Sequence, residues 1–291
     1  MTTGNADTSP GGSPSFLVQR NRGPRQAGVY EAAAAGKDAR AAERAIAAGL
    51  KEIFPGLEDL VVHNRRFLQR AVKVLAMRGV RQFLDLGAGY PDPPHQGTNL
   101  HQVAQGVTPC ARMVYVDYEP VARQHLSVHC GGPGVAAILA DIRTPEAVLD
   151  HPMTQAVLDP EMPTGVIFGS MMHFLTHAEV QHVLGVLRER LAHGSNLVVS
   201  HATPDGMPKK KITAATELYE DNVSPIHMRT AEEINDLLPP GRLGGPGLVR
   251  TYEWGRALPE LADDMADMPR PRVDDDTPHL YAAVVPLASP G

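Results

Sequence analysis

The spacing of apolar residues changes near residue 80. Before it, Leu60, Val61, Asn64, Phe67, Leu68, Ala71, Val74 and Leu75 recur at helical intervals. They predict one amphipathic helix over 57–77, ended by Gly79. The alanine-rich text from Val29 to Leu50 predicts one or two helices with a break near Gly36. After Gly79 short apolar runs alternate with amphipathic stretches. The runs are Gln82–Leu86, Met113–Val116, Ala136–Leu139, Gly165–Phe168, Asn196–Ser200, Leu248–Tyr252 and Leu280–Pro286. Helices are expected near Asn99–Gly106, Pro120–Cys130, Pro145–Asp150, His177–Ala192 and Thr230–Leu238. Strand alternating with helix predicts parallel pairing and an α/β, doubly wound sheet of about seven strands. The last two runs have no good helix between them, so they are expected to pair antiparallel at a sheet edge. Leu258 to Pro278, acidic and proline-rich, reads as a surface excursion between them, and Pro208-Lys209-Lys210-Lys211 as a solvated basic turn.

Composition narrows the partners. The chain has 291 residues, 43% of them apolar, enough for a full core. Its formal net charge of -6 argues against a nucleic-acid backbone as the main partner. No apolar run is long enough to span a membrane. The opening MTTGNADTSPGGSPS lacks the basic and apolar regions of a secretory signal and reads as a disordered polar tail. Two cysteines, Cys110 and Cys130, make neither a disulfide framework nor a zinc set, and suit a cytoplasmic protein.

The chemistry gathers where strands end. Ligands of open α/β sheets bind at the carboxyl ends of the strands. The first run carries Asp85 and passes into Gly87-Ala88-Gly89, where a dinucleotide fold would continue to a third glycine and a helix. Here Tyr90-Pro91-Asp92-Pro93-Pro94 follows instead. Asp117 ends the second run and Asp141 the third, while Ser170 and His173 follow the fourth. One acid after strand two suits the two ribose hydroxyls of a nucleoside. An acid after strand three suits an adenine amine, with the backbone N–H of Ile142 beside it for a ring nitrogen. Two glycines let backbone approach the nucleoside's tail. A third, with a helix N-terminus, serves a pyrophosphate. The pattern suits an adenosine with a short charged tail better than NAD.

At these residues the chain resembles the class I, Rossmann-like methyltransferases that use S-adenosyl-L-methionine. More narrowly, it resembles the actinobacterial S-adenosyl methyltransferase family once catalogued as DUF574. The resemblance runs from about Val29 to Arg256 and rests on GKDARAAERAIAAG, NRRFLQRAV, FLDLGAGYP, NLHQVAQ, ARMVYVDYEPVARQH, ADIRTPEAVL, MMHFL, LVVSHAT and GLVRTYEWG. It implies a disordered tail over 1–25, an N-terminal helical cap over 26–78 that contributes to the acceptor site, and a Rossmann-like domain over 79–291. It also implies S-adenosyl-L-methionine as cofactor. Two departures stand out: the loop 90–98 is lengthened, and Tyr30-Glu31-Ala32-Ala33-Ala34-Ala35 replaces a more aromatic stretch.

The expected cofactor contacts are Asp85, Gly87, Gly89, Asn99, Asp117, Tyr118, Asp141, Ile142 and Ser170, with His173 and Tyr30 as candidate catalytic groups. Each has a bland alternative. Asn99 also suits a helix cap, and His101 a packing role. His173 also suits a core histidine bonded to backbone. Met171 and Met172 are expected to line the cavity. Lys37, Asn64, Arg65 and His201 are weaker candidates, and Tyr219 and Tyr252 are left open. No metal site is expected. A base is useful for an amine, phenol or carbon nucleophile and needless for a carboxylate. A small-molecule acceptor is expected, a secondary metabolite with an aromatic or indole-containing body, and a homodimer is possible. The rivals are a non-catalytic protein that binds the same nucleoside and an NAD(P)-dependent oxidoreductase, which the absent third glycine disfavours.

Overall fold

The computed structural model of the chain describes residues 23–92, 98–243, 247–266, 268 and 277–287. Most of the expected tail therefore lies outside the described residues, as does much of the lengthened loop. Three helices come first: α1 (Gln26–Ala33), α2 (Ala41–Ile53) and α3 (Leu57–Met77). The break between α1 and α2 falls where the alanine run meets Gly36, and Ala35 takes a left-handed φ of 58° to make it.

Then come β1 (Gln82–Leu86), α4 (Leu100–Val107), β2 (Arg112–Asp117), α5 (Pro120–His129) and β3 (Val135–Leu139). They are followed by α6 (Pro145–Leu149), α7 (Pro152–Val157), β4 (Thr164–Gly169), a 3-10 turn at Met172–Phe174 and α8 (His177–Arg190). The chain closes with β5 (Asn196–Ala202), α9 (Lys209–Asn222), α10 (Ala231–Leu237), β6 (Val249–Arg250), α11 (Ala262–Ala266) and β7 (Leu280–Pro286). Prolines open α5, α6 and α7 at the first turn, where a missing N–H costs nothing.

The sheet order is β3-β2-β1-β4-β5-β7-β6. Five strands run parallel, with Phe83 opposite Met113 and Gly165. β7 runs antiparallel to both β5 and β6, so the last two strands do close one edge as an antiparallel pair. Because side chains alternate along a strand, Leu84, Val114, Val166 and Leu197 pack on one face against α8 and α10. Phe83, Met113, Ile167 and Val198 pack on the other against Phe67, Val74 and Leu75 of α3. A third core joins α1, α2 and α9 through Val29, Ile46, Leu50, Phe54, Ala215 and Tyr219.

Two expectations need correction. The basic turn at Pro208–Lys211 is instead the start of α9, with Pro208 at its N-cap position. The three lysines hide a helical face of Ile212, Ala215 and Tyr219, which packs beneath the cap. The acidic excursion after Leu258 is in part core: Leu261 and Met265 are buried under α3. No helix among the described residues is long and apolar enough to cross a membrane.

Candidate functional site

Parallel strands deliver their carboxyl ends to one rim, and the chain turns sharply there. Gly87 and Gly89 adopt φ of +83° and +66°, which a side chain would strain. A Cβ at Gly87 would also stand 2.5 Å from the Met171 side chain. The Gly87 and Ala88 N–H groups both donate to the Val116 carbonyl, at 2.9 and 3.0 Å. Asp117 finishes the turn: its Oδ2 accepts from Gly89 N–H and its Oδ1 from Glu119 N–H, each at 2.8 Å. Those bonds pin the loop and leave lone pairs on both oxygens for a ligand.

A cavity of about 260 Å³ opens at this rim and runs beneath the helical cap. Tyr30, Asp85, Gly87, Gly89, Asn99, Asp117, Tyr118, Ser170 and His173 all line it. Asp141 and Ile142 do not. Asp141 points at its near neighbour, its two oxygens accepting from Arg143 Nε at 2.9 and 3.1 Å, and Ile142 is packed in the core. The far end of the cavity is apolar, walled by Leu50 of α2 and Phe54 just past its end, Leu57 and Val61 of α3, and Ile212 and Tyr219 of α9.

The rim end is acidic. Burial, with the Asp117 and Asp92 charges behind it, lifts the Asp85 carboxyl to about 8. Burial lifts Asp117 to about 6 against the pull of its backbone donors. Among the described residues the Asp85 carboxylate meets no hydrogen-bond donor. Glu119, also on the wall, is raised to about 8 by burial and by Asp117. A cation with hydroxyls attached would meet the need of all three acids. This donor set and the glycine turn fit the adenosyl and methionine parts of S-adenosylmethionine.

Between the two ends lies a polar junction. Asn64 of α3 spends both its amide hydrogens, donating to Tyr30 Oη at 2.8 Å and to Ser170 Oγ at 2.9 Å. Ser170 holds a φ of 56°, unusual for a residue with a side chain, and its N–H donates to Ser200 Oγ at 2.9 Å. Arg65, one position along α3, bridges Glu31 Oε2 at 3.1 Å and Asp92 Oδ1 at 2.8 Å. It thereby ties α1 to the glycine loop.

His173 reaches the cavity, yet its geometry opposes the general-base role expected for it. Its Nδ1 accepts the Ala202 N–H at 3.3 Å, which puts its proton on Nε2. Burial and the neighbouring His201 and Arg229 push its pKa well below the usual histidine value. It is a neutral donor. Tyr30 is likewise no ready base, since burial raises its pKa. Asn99 takes the capping position expected of it: it stands at the N-cap of α4 in a capping box with Gln102, whose Oε1 accepts from Asn99 N–H at 3.1 Å, and its Oδ1 also accepts from Asp92 N–H at 2.8 Å and anchors the loop. His101 packs: its backbone N–H donates to Tyr115 Oη at 3.0 Å. Met171 lines the cavity while Met172 is core. Lys37 lies off the cavity wall, and His201 stands behind it, accepting from Arg229 Nη1 at 2.9 Å. Tyr252 packs on His63.

Sequence reasoning missed Glu119, Asp92, Arg229 and the α9 face. Ile212, Ala215 and Tyr219 sit at helical spacing, a signal the lysine run masked. Glu119 follows Asp117 by two residues, but nothing local tells which acid turns inward. Among the described residues no three His, Cys, Asp or Glu side chains are grouped to hold a metal ion.

Residues 18–284 match the model of the S-adenosyl methyltransferase family. A crystallised methyltransferase candidate from Thermobifida fusca is 32% identical, with a TM-score of 0.80, over 94% of this chain and 98% of its own. A DUF574 family protein from Streptomyces avermitilis is 28% identical, with a TM-score of 0.79, over 91% and 98%. The plantazolicin methyltransferase BamL, crystallised with a triazolic desmethylPZN analog and SAH, is 9% identical with a TM-score of 0.50 over 94% and 99%, a likeness of fold alone. No curated protein matches the chain. With a glycine-turned acidic rim, a seven-stranded sheet and a family match over nearly its whole length, the chain belongs to the S-adenosyl methyltransferase family and is an S-adenosylmethionine-dependent methyltransferase.

Proposed function

We propose that this methyltransferase acts on a small-molecule acceptor held under the helical cap, a secondary metabolite with an aromatic body, indole-containing compounds among the candidates. One observation carries the reading: a single cavity joins the acidic rim to an apolar chamber built by α1, α2, α3 and α9. The cap formed by 26–78 thus supplies most of the acceptor wall. The net charge of -6 and a wall rich in carboxylates disfavour a nucleic-acid acceptor.

In this reading Asp117 receives the ribose hydroxyls and the Tyr118 ring lies along the adenine. Asp85, Gly87, Gly89 and Ser170 receive the methionine part. Asp141 serves only if its carboxylate turns away from Arg143, so Glu119 is the better-placed acid beside the adenosine. When bound, S-adenosylmethionine supplies a methyl already activated on a sulfonium. The work left to the protein is orientation and the exclusion of water. The apolar chamber does the second, and the Tyr30–Asn64–Ser170 network fixes the junction where the two ligands meet. His173 serves as a donor that orients an acceptor, with its proton on Nε2.

Two measurements test this. Calorimetry with S-adenosylhomocysteine should show binding with one site per chain. Tritiated-methyl transfer into an extract of small metabolites should label an organic-soluble fraction. Tight cofactor binding with no label in any fraction would instead indicate a binding protein, and label only in the protein or nucleic-acid fraction would move the acceptor out of the small-molecule class.

A further inference from the structure

Three polar atoms of cavity-wall residues are buried and lack a hydrogen-bond partner among the described residues: Asn64 Oδ1, Glu119 Oε2 and His279 Nε2. A buried acceptor left bare is costly, so each implies a donor that arrives with a ligand. Glu119 stands two residues past Asp117, at the adenosine end. Asn64 sits at the junction, where its amide oxygen can orient a donor but not hold a proton. His279 is the one of the three that is a base near neutral pH and has no part in the cofactor end.

Its place follows from the sheet. β5 lies between β4 and β7, and Ala202 of β5 pairs with Leu280 of β7. His279 stands one position before that pair, level with Thr203, and both residues line the cavity. From the β4 side, His173 Nδ1 accepts the Ala202 N–H. Two histidines thus flank one short stretch of wall, and their hydrogen-bonding character is opposite. His173 presents an N–H at Nε2. In His279 Nδ1 lies 3.5 Å from the Thr277 carbonyl oxygen, which can only accept, so the hydrogen is on Nδ1 and the lone pair on Nε2. The ring packs edge-on to Tyr281 at 5.3 Å and 83°. Burial, and then Arg250 of β6, push its pKa below the usual histidine value, against the Thr277 carbonyl, Asp205 and Glu253. It rests as a neutral base.

We propose that His279 is the catalytic base of the transfer and that the acceptor is protic, a phenol or an arylamine. The oxygen or nitrogen lone pair forms the bond to the methyl carbon, and the carbon–sulfur pair returns to sulfur. The hydrogen passes as a proton to His279 Nε2, which leaves a neutral methylated product and an imidazolium. Asp205 and Glu253 favour that cation, and it gives its proton to water once the product leaves. The proposal rests on the methyltransferase reading and names its acceptor class.

Calorimetry with S-adenosylhomocysteine comes first, and its failure would count against the cofactor site rather than against His279. 1-Naphthol and quinoline then probe the complex: both are flat two-ring bodies, one with a donor and one without. His279→Phe should lower the ratio of naphthol to quinoline affinity roughly tenfold or more, with S-adenosylhomocysteine binding unchanged. In tritiated-methyl transfer to 1-naphthol, His279→Ala should lower kcat roughly a hundredfold or more. Added imidazole should restore part of that rate, and pyrrole, a ring of the same size without a basic lone pair, should not. The wild-type enzyme gives a readout that needs no variant to fold. At saturating cofactor its rate should be level above about pH 7 and fall below it, as His279 takes up a proton. A rate that instead climbs about tenfold per pH unit toward pH 9 follows free naphtholate and overturns the proposal. So does an unchanged affinity ratio in His279→Phe, an undiminished kcat in His279→Ala, rescue by pyrrole as good as by imidazole, or a homocysteine complex that binds no naphthol.

Discussion

Asp85 is the side chain whose ionisation the ligand should govern. In the free protein burial and the nearby Asp117 and Asp92 lift its carboxyl to about 8, so it is largely protonated at neutral pH. A cation bound beside it favours the carboxylate and lowers that value, so binding releases a proton between the two pKa values. Affinity for S-adenosylmethionine should therefore be weak near pH 6, strengthen by up to about tenfold per pH unit, and level off above about pH 8. Calorimetry in buffers of unequal ionisation heat would show both the trend and the released proton. An affinity independent of pH would mean that Asp85 does not face the cation. Asp117 makes a separate case, because it holds both the Gly89 and the Glu119 amides. Asp117→Ala should weaken S-adenosylhomocysteine at least tenfold, about 1.4 kcal/mol, through the lost acceptor and the loosened loop. An unchanged dissociation constant would place the ribose elsewhere.

At the scale of the element, α1 is seated by contacts too close for larger residues. Gly28 lies on the Glu43 carboxyl: a Cβ there would approach its Cδ to 2.2 Å. Glu43 cannot swing aside, because it accepts from the Arg25 and Arg40 amides at 3.1 and 2.7 Å and from Arg40 Nε at 2.9 Å. In an ordinary helix interior Gly→Ala stabilises by roughly 0.5–1 kcal/mol. Here Gly28→Ala should destabilise by about 1–3 kcal/mol, the usual cost of overpacking. Urea denaturation decides, since the two mechanisms predict opposite signs. A more stable variant would show that α1 sits farther from α2 than the structure has it.

For the whole molecule, the cavity lies between the sheet and its cap, so a ligand in it stabilises both. S-adenosylhomocysteine at a hundred times its dissociation constant should raise the unfolding free energy by about 2.7 kcal/mol. The cap should share in that. Gln26 of α1 accepts from Tyr118 Oη at 3.1 Å, and Arg65 of α3 grips both Glu31 of α1 and Asp92 of the glycine loop. Proteolysis within residues 34–40, the link between α1 and α2, should slow when the ligand is bound. Cleavage there at an unchanged rate, while the core is protected, would show a cap that moves independently of the cofactor.

Much of this was legible in the linear text, for one physical reason: the burial each element needs is written in its own periodicity. The change from helical to strand spacing near Gly79 placed the cap before the sheet, and strand–helix alternation made the strands parallel. Parallel strands end on one side, which brings Asp85, Asp117 and Ser170 to one rim with no further information. The turn at Gly87 and Gly89 was legible too, because glycine enters those φ values without strain and a Cβ at Gly87 would strike Met171. Partners across space were not legible, since an electrostatic or hydrogen-bonding choice depends on which groups packing brings near. Asp141 reads as well as Asp117 in the sequence, yet Arg143 two residues on claims it. His173 reads as a base until the Ala202 amide, 29 residues away, occupies its one lone pair. The helical face of α9 is written in the chain but was masked by three lysines, and only docking against the cap revealed that it walls the cavity. Local order thus came from the sequence alone, and the protonation and pairing that set the chemistry came from the tertiary structure.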